Sequence, residues 1–417
     1  MITYSKFYKG EGKSRFDQEG FDSTDNLDVH TELGSARCQY ALSQESSTPS
    51  EACFSAVVPN GDSYYCSQST GKIWKRTSAG VWSLAHTNSS GAGNGCRYYN
   101  GYLYYWSVSK LGRYDLGTGW ADAWATFSNG NAKGSEELNL TLYICDGKYI
   151  ASVNSDGTFQ ANALDFPSNY IATCCIGYQT GLLVGTQIGN NVVTAKSFFW
   201  DTYSDSWTIE DEIFEKGINS MVKSDNIILA QAGTAGTMYY WTGNSFELLG
   251  RIRSTTTTSG YQKACVISGK PLIAIGTDIY SIYKADKDFP IAITHEYTAN
   301  GSIGSILAVG NQLIVSYTGG ADSISTNKAT AKVVTPESQG TFSMVEVGYS
   351  SLPEGTSIGI ETSVNGGAYV AQTSIVDTIN KKVYFDGGLA DHSYMQARIT
   401  LSPSTSSTPI ITSINIL

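Results

Sequence analysis

A strand–turn–strand unit recurs along most of the chain, and this repeat constrains the fold more than any other feature of the sequence. Each unit is an apolar strand, a tight turn centred on glycine or asparagine, and a second strand that ends in small residues, as in CRYYNGYLYYWS and CIGYQTGLLVGT. Aligned on the turn, the units fall at Gly61, Gly101, Gly147, Gly181, Asn226, Lys270 and Asn311. Their mean spacing is roughly 42 residues, which is the length of a four-stranded β-propeller blade.

Each unit continues into a second hairpin that is rich in aromatic residues, such as GKIWKRTSAGVWSLAHT at 71–87 and TMYYWTGNSFELLG at 237–250. Two hairpins make four strands, and a four-stranded sheet must stack against neighbours to bury both of its faces. The sequence therefore predicts an all-β chain with a seven-bladed β-propeller at 51–337. Because the third and seventh outer hairpins (VNSDGTFQAN and SISTNKATAKVVT) are degenerate, six or eight blades also stay open.

Two shorter segments flank the propeller. The N-terminal segment 1–50 is polar and rich in aspartate, and it has too few apolar residues for a core of its own, so we expect an arm that a neighbouring surface orders. Its one clear strand, SARCQYAL, can close the ring by pairing with the last blade. At 338–417, five segments that alternate apolar with polar residues, together with a turn at Asn365-Gly366, predict a small β-sandwich-like C-terminal domain.

Charge and hydropathy exclude several classes of partner. The formal net charge is −10, and the basic residues are scattered, whereas nucleic-acid backbones are bound by clustered Lys and Arg. No segment approaches the roughly 18 consecutive apolar residues that indicate a membrane span. The N-terminal stretch MITYSKFYKGEGKSRF has no apolar run of the kind found in secretory signals, so we expect the chain to fold in a cytoplasm.

The cysteines predict neither a metal site nor a disulfide framework. No pair has CxxC spacing, no histidine lies nearby at metal-ligand spacing, and several cysteines sit inside apolar strands such as ATCCIGY. We therefore expect free, buried thiols at Cys38, Cys53, Cys66, Cys96, Cys145, Cys174, Cys175 and Cys265.

Polar residues that could support catalysis form no recognisable set. The histidines lie in different segments without a carboxylate at short spacing, so we interpret each as a surface or strand residue: His30, His86, His295 and His392. An acidic run without a DxDxDG calcium loop is interpreted as a solvated connection between blades: Glu210, Asp211, Glu212 and Glu215. The arginines fall on irregular blade positions, unlike a sialidase-type carboxylate site: Arg76, Arg97, Arg113, Arg251 and Arg253.

The sequence therefore predicts no catalytic, cofactor-binding or metal-binding residues, and it favours a protein that is not an enzyme. Carboxylates brought together from different blades would escape this kind of analysis.

The combination of arm, propeller and β tail resembles β-propeller virion proteins of tailed bacteriophages. The resemblance rests on GFDSTDNLDVHTELGSARCQYAL at 20–42, TGKIWKRTSAGVWSLAHTN at 70–88, YYNGYLYYWSVSKLGRYDLGTGW at 98–120 and MQARITLSPSTSSTPIITSINIL at 395–417. It implies a non-enzymatic structural protein of the tail (hub, nozzle, baseplate or fibre attachment), located in the virion and assembled in the host cytoplasm. Propeller proteins form the tail nozzle of short-tailed phages, which implies a ring-shaped homo-oligomer whose partners are its own copies and other tail proteins.

A second class of function stays open, namely a carbohydrate-binding or glycan-processing propeller, such as a receptor-binding tail part that recognises a host-surface glycan. Exposed Tyr and Trp side chains on blade loops could stack on sugar faces, whereas the simpler interpretation is packing within blades. For the virion protein, we expect the arm or the C-terminal domain to contribute most of an inter-chain contact above about 1,000 Å². Deleting either segment would then leave a soluble propeller that no longer assembles.

Overall fold

The N-terminal segment, which the sequence predicts to be an arm, forms five short strands that belong to three different sheets. In the computed structural model, the described residues are 2–7, 21–32, 34–117, 119–188, 194–224, 227–252, 260–283, 292–386 and 392–417, and every regular element named there is a β-strand. The N-terminal strands are β1 (Ile2–Tyr4), β2 (Ser23–Asp25), β3 (Leu27–Asp28), β4 (Ala36–Cys38) and β5 (Tyr40–Gln44).

The repeating units fold as four-stranded antiparallel sheets, and the first three follow one another directly. Blade 1 contains β6 (Cys53–Val57), β7 (Ser63–Ser67), β8 (Lys72–Arg76) and β9 (Trp82–Thr87). Blade 2 contains β10 (Gly95–Tyr99), β11 (Tyr102–Trp106), β12 (Lys110–Tyr114) and β13 (Trp120–Thr126). Blade 3 contains β14 (Ala132–Leu138), β15 (Thr141–Asp146), β16 (Tyr149–Asn154) and β17 (Phe159–Asp165).

The next three blades have the same order of strands. Blade 4 contains β18 (Tyr170–Tyr178), β19 (Gly181–Ile188), β20 (Ala195–Trp200) and β21 (Ile209–Ile213). Blade 5 contains β22 (Ile218–Ser224), β23 (Ile227–Ala232), β24 (Thr237–Trp241) and β25 (Phe246–Arg251). Blade 6 contains β26 (Ala264–Ile267), β27 (Lys270–Ile275), β28 (Asp278–Tyr283) and β29 (Ala292–Thr298).

The seventh blade closes the ring with a strand from the N-terminal segment. It contains β30 (Ile303–Val309), β31 (Gln312–Tyr317) and β32 (Gly320–Lys328), and its fourth strand is β5, which pairs antiparallel with β32. The predicted all-β propeller with seven four-stranded blades is thereby confirmed. Because the first and last blades share covalent and hydrogen-bonded connections, the ring cannot open without breaking the β5–β32 ladder.

The backbone conformation of the turn residues explains why each unit folds as a tight hairpin. Asn100 and Gly101, which join β10 to β11, both have positive φ angles, 45° and 85°. Two-residue hairpins of this type twist with the strands they connect and need residues that tolerate positive φ, which Asn and Gly do. The aromatic residues then fill the space between blades: Tyr64 of blade 1 packs edge-on against Tyr114 and Trp120 of blade 2.

The second domain is built from both ends of the chain. Its C-terminal strands are β33 (Ala331–Val334), β34 (Ser338–Gly340), β35 (Met344–Ser351), β36 (Ser357–Val364), β37 (Val370–Gln372), β38 (Ile375–Asp377), β39 (Lys382–Asp386), β40 (His392–Ser402) and β41 (Ile410–Ile416). One sheet has the order β3-β4-β41-β35-β39-β38, with β1 also pairing with β41. The other has the order β2-β33-β40-β36-β37, with β34 also pairing with β40.

The division of the chain into 1–50, 51–337 and 338–417 therefore differs from the structure. Phe7, Phe21 and Leu27 are buried in one apolar core together with residues of both C-terminal sheets, such as Val345 and Ile399. The N-terminal segment has too few apolar residues for a core of its own, as expected, but those few complete the second domain rather than cover the propeller rim. Its last strand, β5, belongs to the propeller.

Candidate functional site

A cavity of about 470 Å³ lies on the propeller axis. The first strand of every blade contributes to its wall, so these strands are the innermost ones. A volume of this size falls within the range of small-molecule sites, roughly 300–1,000 Å³. The cavity is therefore the first candidate for a binding site.

Tyr261 and Gln262, which precede β26, form the floor of the cavity. Gln262 accepts a hydrogen bond from the backbone N–H of Ser55 (3.0 Å) and donates one from Nε2 to the backbone oxygen of Cys96 (2.6 Å). The ring of Tyr261 stacks on Phe54 with 5.0 Å between centroids. A segment of blade 6 is thus held across the axis by blades 1 and 2, which fixes the floor in one position.

Four charged residues line the wall of the cavity, namely Arg97, Glu136, Glu137 and Lys223. Arg97 in β10 donates through Nη1 to the backbone oxygen of Ser135 (3.0 Å) and pairs with Glu136 in β14 at 3.0 Å from Nη1 to Oε2. Lys223 in β22 donates through Nζ to the backbone oxygen of Gly177 at 3.2 Å. Glu136 lies close to the same residue, because its Oε1 would stand 3.7 Å from a Cβ atom at Gly177.

A second polar cluster joins the N-terminal segment to blade 6. Glu296 in β29 is fully buried, and Lys270 donates to its Oε2 at 2.7 Å. The side-chain amide of Gln39 donates to the same oxygen. His30 lies beside the same carboxylate, with Nε2 3.8 Å from Oε1 and 3.1 Å from the hydroxyl of Ser281. Burial lowers the pKa of His30, although the charge of Glu296 opposes that shift.

His295 makes the neighbouring contact between the same two elements. Its backbone N–H donates to the hydroxyl of Thr24 (3.2 Å), and its ring lies 3.2 Å from Asp25 on one side and 3.4 Å from Asp278 on the other. These contacts place β2 and β3, the first strands of the two sheets of the second domain, against the outermost strand of blade 6. The interpretation of His30 as a surface or strand residue is therefore wrong, since it lies in a loop between the two domains with a side chain that is 9% exposed.

His86 forms a third polar contact, between blades 1 and 2. Its Nε2 lies 2.7 Å from Asp122 Oδ1, which also accepts a 2.7 Å hydrogen bond from the hydroxyl of Tyr105. Burial raises the pKa of Asp122, but hydrogen bonds from the backbone of Ser89, from Tyr105 and from His86 outweigh it and hold that pKa at about 2. Asp122 is thus an ionised structural acceptor at neutral pH.

The ring of His86 also stacks on Trp120, with 4.3 Å between centroids. The other face of Trp120 is covered by Tyr114 at 3.9 Å, so both faces of this indole are occupied. A sugar ring has no free face to stack on here. His392 begins β40, and its side chain lies outside the described residues.

The acidic run is not a solvated connection between blades, contrary to prediction. Residues 210–212 lie within β21, the outermost strand of blade 4, where Glu210 pairs with Lys196 of the adjacent strand. Only Glu215 lies in a connection, and it accepts a hydrogen bond from the hydroxyl of Thr237 (2.6 Å). Exposure alternates along this strand, with Glu210 and Glu212 exposed and Ile213 buried, a pattern typical of a half-exposed edge strand rather than a loop.

The arginines have different environments, as their irregular positions predict. Arg97 alone among them lines the cavity. Arg76 is buried and pairs with Glu45, and Arg113 lies over the ring of Trp124 at 4.5 Å. Arg251 ends β25 with an exposed side chain, and Arg253 lies outside the described residues.

All eight cysteines are free thiols; seven are buried and Cys265 is half-buried. Burial raises the pKa of the thiols of Cys53 (well above its usual range) and Cys174 (to about 12), which keeps both protonated. In the part of the chain that the structure describes, no three His, Cys, Asp or Glu side chains are grouped as metal ligands would be. No helix among those residues is long and apolar enough to cross a membrane.

An exposed apolar edge distinguishes the second domain. Val370, Ile375, Val376 and Ile379 are 58%, 51%, 50% and 90% exposed. The strands that carry or adjoin them, β37 and β38, are the last strands of their sheets, and within the described ranges each pairs with one neighbour only. This segment, 370–379, is called the apolar edge below.

Sequence reasoning assigned no residue to the cavity. It named Arg97 only among the scattered arginines, and it named the four cysteines that line the cavity only as buried thiols. Glu136 and Lys223 each lie near the end of a first strand, in GSEEL and MVKS, where most aligned units carry apolar residues. A charged residue near the end of an innermost strand is the sequence feature from which Glu136 and Lys223 could have been predicted to line a cavity. Gln262 gave no such signal, because it precedes its strand.

Solved structures of proteins with different functions share the propeller fold. A streptogramin B lyase has a TM-score of 0.53 at 13% identity, over 68% of this chain and 96% of that chain. A catalytically inactive virginiamycin B lyase from Staphylococcus aureus, solved with quinupristin, has a TM-score of 0.55 at 10% identity, over 68% and 98%. YCF48 bound to D1 peptide has a TM-score of 0.51 at 9% identity, over 68% and 94%.

No family model matches the chain, and no curated protein is similar to it in sequence. At these identities, likeness to solved structures shows the fold alone, and the lyase activity belongs to those proteins. The comparisons therefore show that this chain contains a β-propeller.

Proposed function

We propose that this chain is a non-enzymatic structural component of a tailed-phage virion, located in the tail and acting through protein–protein interfaces. The observation that supports this proposal best is the apolar edge of the second domain. Exposed apolar strands at the edge of a sheet offer unpaired backbone groups to another chain, and monomeric proteins usually cover or charge them.

The opposite ends of the same two sheets are already covered. There β2 and β3 lie against blade 6, where His295 contacts Thr24 and Asp25. Among the described residues, the end of the two sheets formed by β37 and β38 is therefore open to extension by a neighbouring subunit. The apolar edge thus offers a direction in which the second domain can continue into a larger assembly.

The chemistry of the apolar edge specifies its partner. Asp377 is its one charged residue, and the carboxylate already accepts hydrogen bonds from the backbone of Ile379 and from Asn380, at 3.0 and 2.7 Å. These hydrogen bonds lower the pKa of Asp377, so the edge carries one negative charge among apolar side chains. It therefore matches an extended strand that is rich in β-branched residues and has few charges. We propose that a neighbouring subunit of the tail contributes such a strand.

The test places charge on the apolar edge without disturbing the core. In the variant Ile375→Lys/Ile379→Lys, both side chains are exposed, so the melting temperature should stay unchanged while incorporation into particles falls at least tenfold. Incorporation is measured by quantitative mass spectrometry of particles assembled in cells that supply the other tail proteins.

The matched control is Val81→Lys, a similar substitution at a residue of blade 1 that is 62% exposed. This control variant should assemble as the wild type does. Normal incorporation of the edge variant, or turnover of a glycan substrate by the purified chain, would contradict the proposal.

A carbohydrate-binding or glycan-processing propeller is the second candidate function. Both faces of Trp120 are covered, but the cavity on the axis favours this candidate, because it has the volume and the mixed charge of a small polar ligand site.

A further inference from the structure

The second domain and the propeller have separate apolar cores. Among the described residues, no apolar cluster contains buried side chains of both: Phe21 and Val345 belong to the core of the second domain, and Tyr297 and Tyr317 belong to the cluster between blades 6 and 7. The strands β2 and β3 lie against β29, where the hydrogen bonds and ion pairs described above join polar side chains. Two domains are expected to move relative to one another unless a large apolar interface joins them.

The chain passes between the two domains at two places that lie side by side. Gln39 joins β4 to β5, and residues Ala329 and Thr330 join β32 to β33. The backbone N–H of Ala329 donates to the backbone oxygen of Gln39 at 2.9 Å, and the side-chain amide of Asn26 donates to the backbone oxygen of Thr330 at 3.2 Å. Both connections are short and adjacent, so they form a single line about which the second domain can turn. This is the geometry of a hinge.

The contact that holds the second domain on blade 6 includes an unsatisfied carboxylate oxygen. Glu296 is the extra residue of a β-bulge, since Tyr280 pairs with His295 and Ile279 pairs with Tyr297. A bulge redirects the side chain it carries, and here the Glu296 carboxylate reaches the N-terminal segment. Its Oε1 is buried and has no hydrogen-bond partner among the described residues, with Nε2 of His30 3.8 Å away. An unsatisfied buried acceptor lowers the stability of the docked arrangement.

The formal charges around His30 balance when its ring is neutral. Glu296 and Lys270 face it from blade 6, and Asp28 and Arg37, which lie 3.4 Å apart, face it from its own domain. A proton on His30 would add an uncompensated positive charge at a side chain that is 9% exposed. Burial lowers the pKa of His30, and the attraction of Glu296 opposes this shift without cancelling it. The docked state therefore favours the neutral ring.

The direction of the pH dependence follows from this preference. When the domain turns away, His30 is hydrated and its pKa returns toward about 6.5. The released form then binds the proton more tightly than the docked form, so docking is fully stable above about pH 6.5 and weakens below it. His295 acts in the opposite direction, because its protonated ring would remain between Asp25 and Asp278, 3.2 and 3.4 Å away.

We propose that the second domain is hinged at Gln39 and residues 329–330, is docked on blade 6 at neutral pH, and is released in mild acid when His30 takes up a proton. Release separates β2 and β3 from β29. Both apolar cores and the β5–β32 ladder stay intact, because none of them crosses the hinge. This device is independent of the proposed function, since it concerns how two parts of one chain are joined.

Hydrogen–deuterium exchange of the full chain at pH 7.5 and pH 5.5 tests the proposal. The backbone N–H of Asn26 donates to Nδ1 of His295 at 3.4 Å, and that of His295 donates to Thr24 at 3.2 Å, so both bonds are lost on release. After correction for intrinsic exchange rates, protection of these two amides should fall about tenfold or more at pH 5.5, while protection of β14 stays unchanged. All eight tryptophans lie in the propeller, so their fluorescence should stay the same.

Substitution of His30 tests the origin of the response. His30→Gln is uncharged at both pH values and should keep full protection of the two amides at pH 5.5. The matched control is His86→Gln, at a histidine between blades 1 and 2, which should show the same acid response as the wild type.

A failure of His30→Gln to fold would leave His30→Asn, which is also uncharged, and the wild type at the two pH values to decide. Equal protection of the wild type at both pH values would overturn the proposal, as would an acid response that persists in a folded His30 variant. A parallel change in tryptophan fluorescence and in β14 would also overturn it, because acid would then unfold the propeller itself.

Discussion

Glu45 joins the end of β5, the strand that closes the propeller, to blade 1. Replacing Glu45 with glutamine tests how much this contact contributes to the stability of the fold. Its carboxylate accepts two hydrogen bonds from Arg76, from Nε and Nη2, both 2.7 Å long, and one from Trp82 Nε1, 2.6 Å long. Glu45 directly follows β5 in blade 7, and both donors belong to blade 1. The substitution Glu45→Gln therefore weakens the joint between the last blade and the first.

The expected loss of stability follows from burial. Arg76 is 5% exposed, so the substitution leaves a buried guanidinium without its counter-charge. Removing one partner of a buried ion pair costs about 3–5 kcal/mol. For a domain of this size, a loss of 1 kcal/mol lowers the melting temperature by about 2 °C, so we expect a decrease of about 6–10 °C.

The effect should depend on pH. Burial raises the pKa of Glu45, but the hydrogen bonds from Arg76 and Trp82 outweigh burial and lower its pKa overall. A carboxyl whose pKa is lower in the folded state stabilises the fold above its unfolded pKa, about 4.3, and this stabilisation is lost as the pH falls through the folded pKa. The gap in melting temperature should be full at pH 7 and should narrow below about pH 4.

Differential scanning fluorimetry of both proteins across this pH range is the assay. The double variant Glu45→Gln/Arg76→Met, which removes both charges, should recover part of the loss, because a buried pair can be replaced by apolar groups at little cost. The control Asp165→Asn disrupts an exposed pair with Lys148 and should leave the melting temperature almost unchanged. A gap below about 2 °C at pH 7, or one that persists in acid, would refute the reasoning.

Two further outcomes follow from the packing. Gly95→Ala would place a Cβ atom 2.3 Å from the buried ring of Trp106, so we expect a loss of about 1–3 kcal/mol in chemical denaturation, while Gly359→Ala, whose nearest contact would be 3.7 Å, should lose far less. Deleting residues 1–45 should give a chain without a folded propeller, because it removes the fourth strand of blade 7 and part of the core of the second domain. Circular dichroism and limited proteolysis check this, and a soluble, protease-resistant propeller would show that the closing strand is dispensable.

The second outcome is the opposite of what the polarity of the N-terminal segment predicts by itself. Composition shows that this segment has too little apolar surface to fold alone, and that conclusion was correct. It does not show which core Phe7, Phe21 and Leu27 join, since much of that core lies about three hundred residues or more away, in β33, β40 and β41. Pairing across such a separation leaves no local pattern.

The cavity also shows that local sequence patterns predict the blades but not which residues of different blades meet. The seven-bladed fold was predictable because each blade repeats its strands, its Asn and Gly turns and its aromatic hairpin within about 42 residues. Arg97, Glu136 and Lys223 come from three blades, and only closure of the ring places them around one axis. Their sequence spacing has no period that marks them as a group.

Patterns between neighbours along the chain were enough to predict the strands, the tight turns and the propeller, and they favoured seven blades without excluding six or eight. The tertiary structure decided which strand closes the ring, which residues complete the second domain, which charges meet on the axis and which sheet edge stays exposed. The physical reason is that hairpins are stabilised by contacts between adjacent residues, which a local pattern records. Ring closure and domain docking depend on contacts between distant residues, whose partners become defined only when the whole chain is folded.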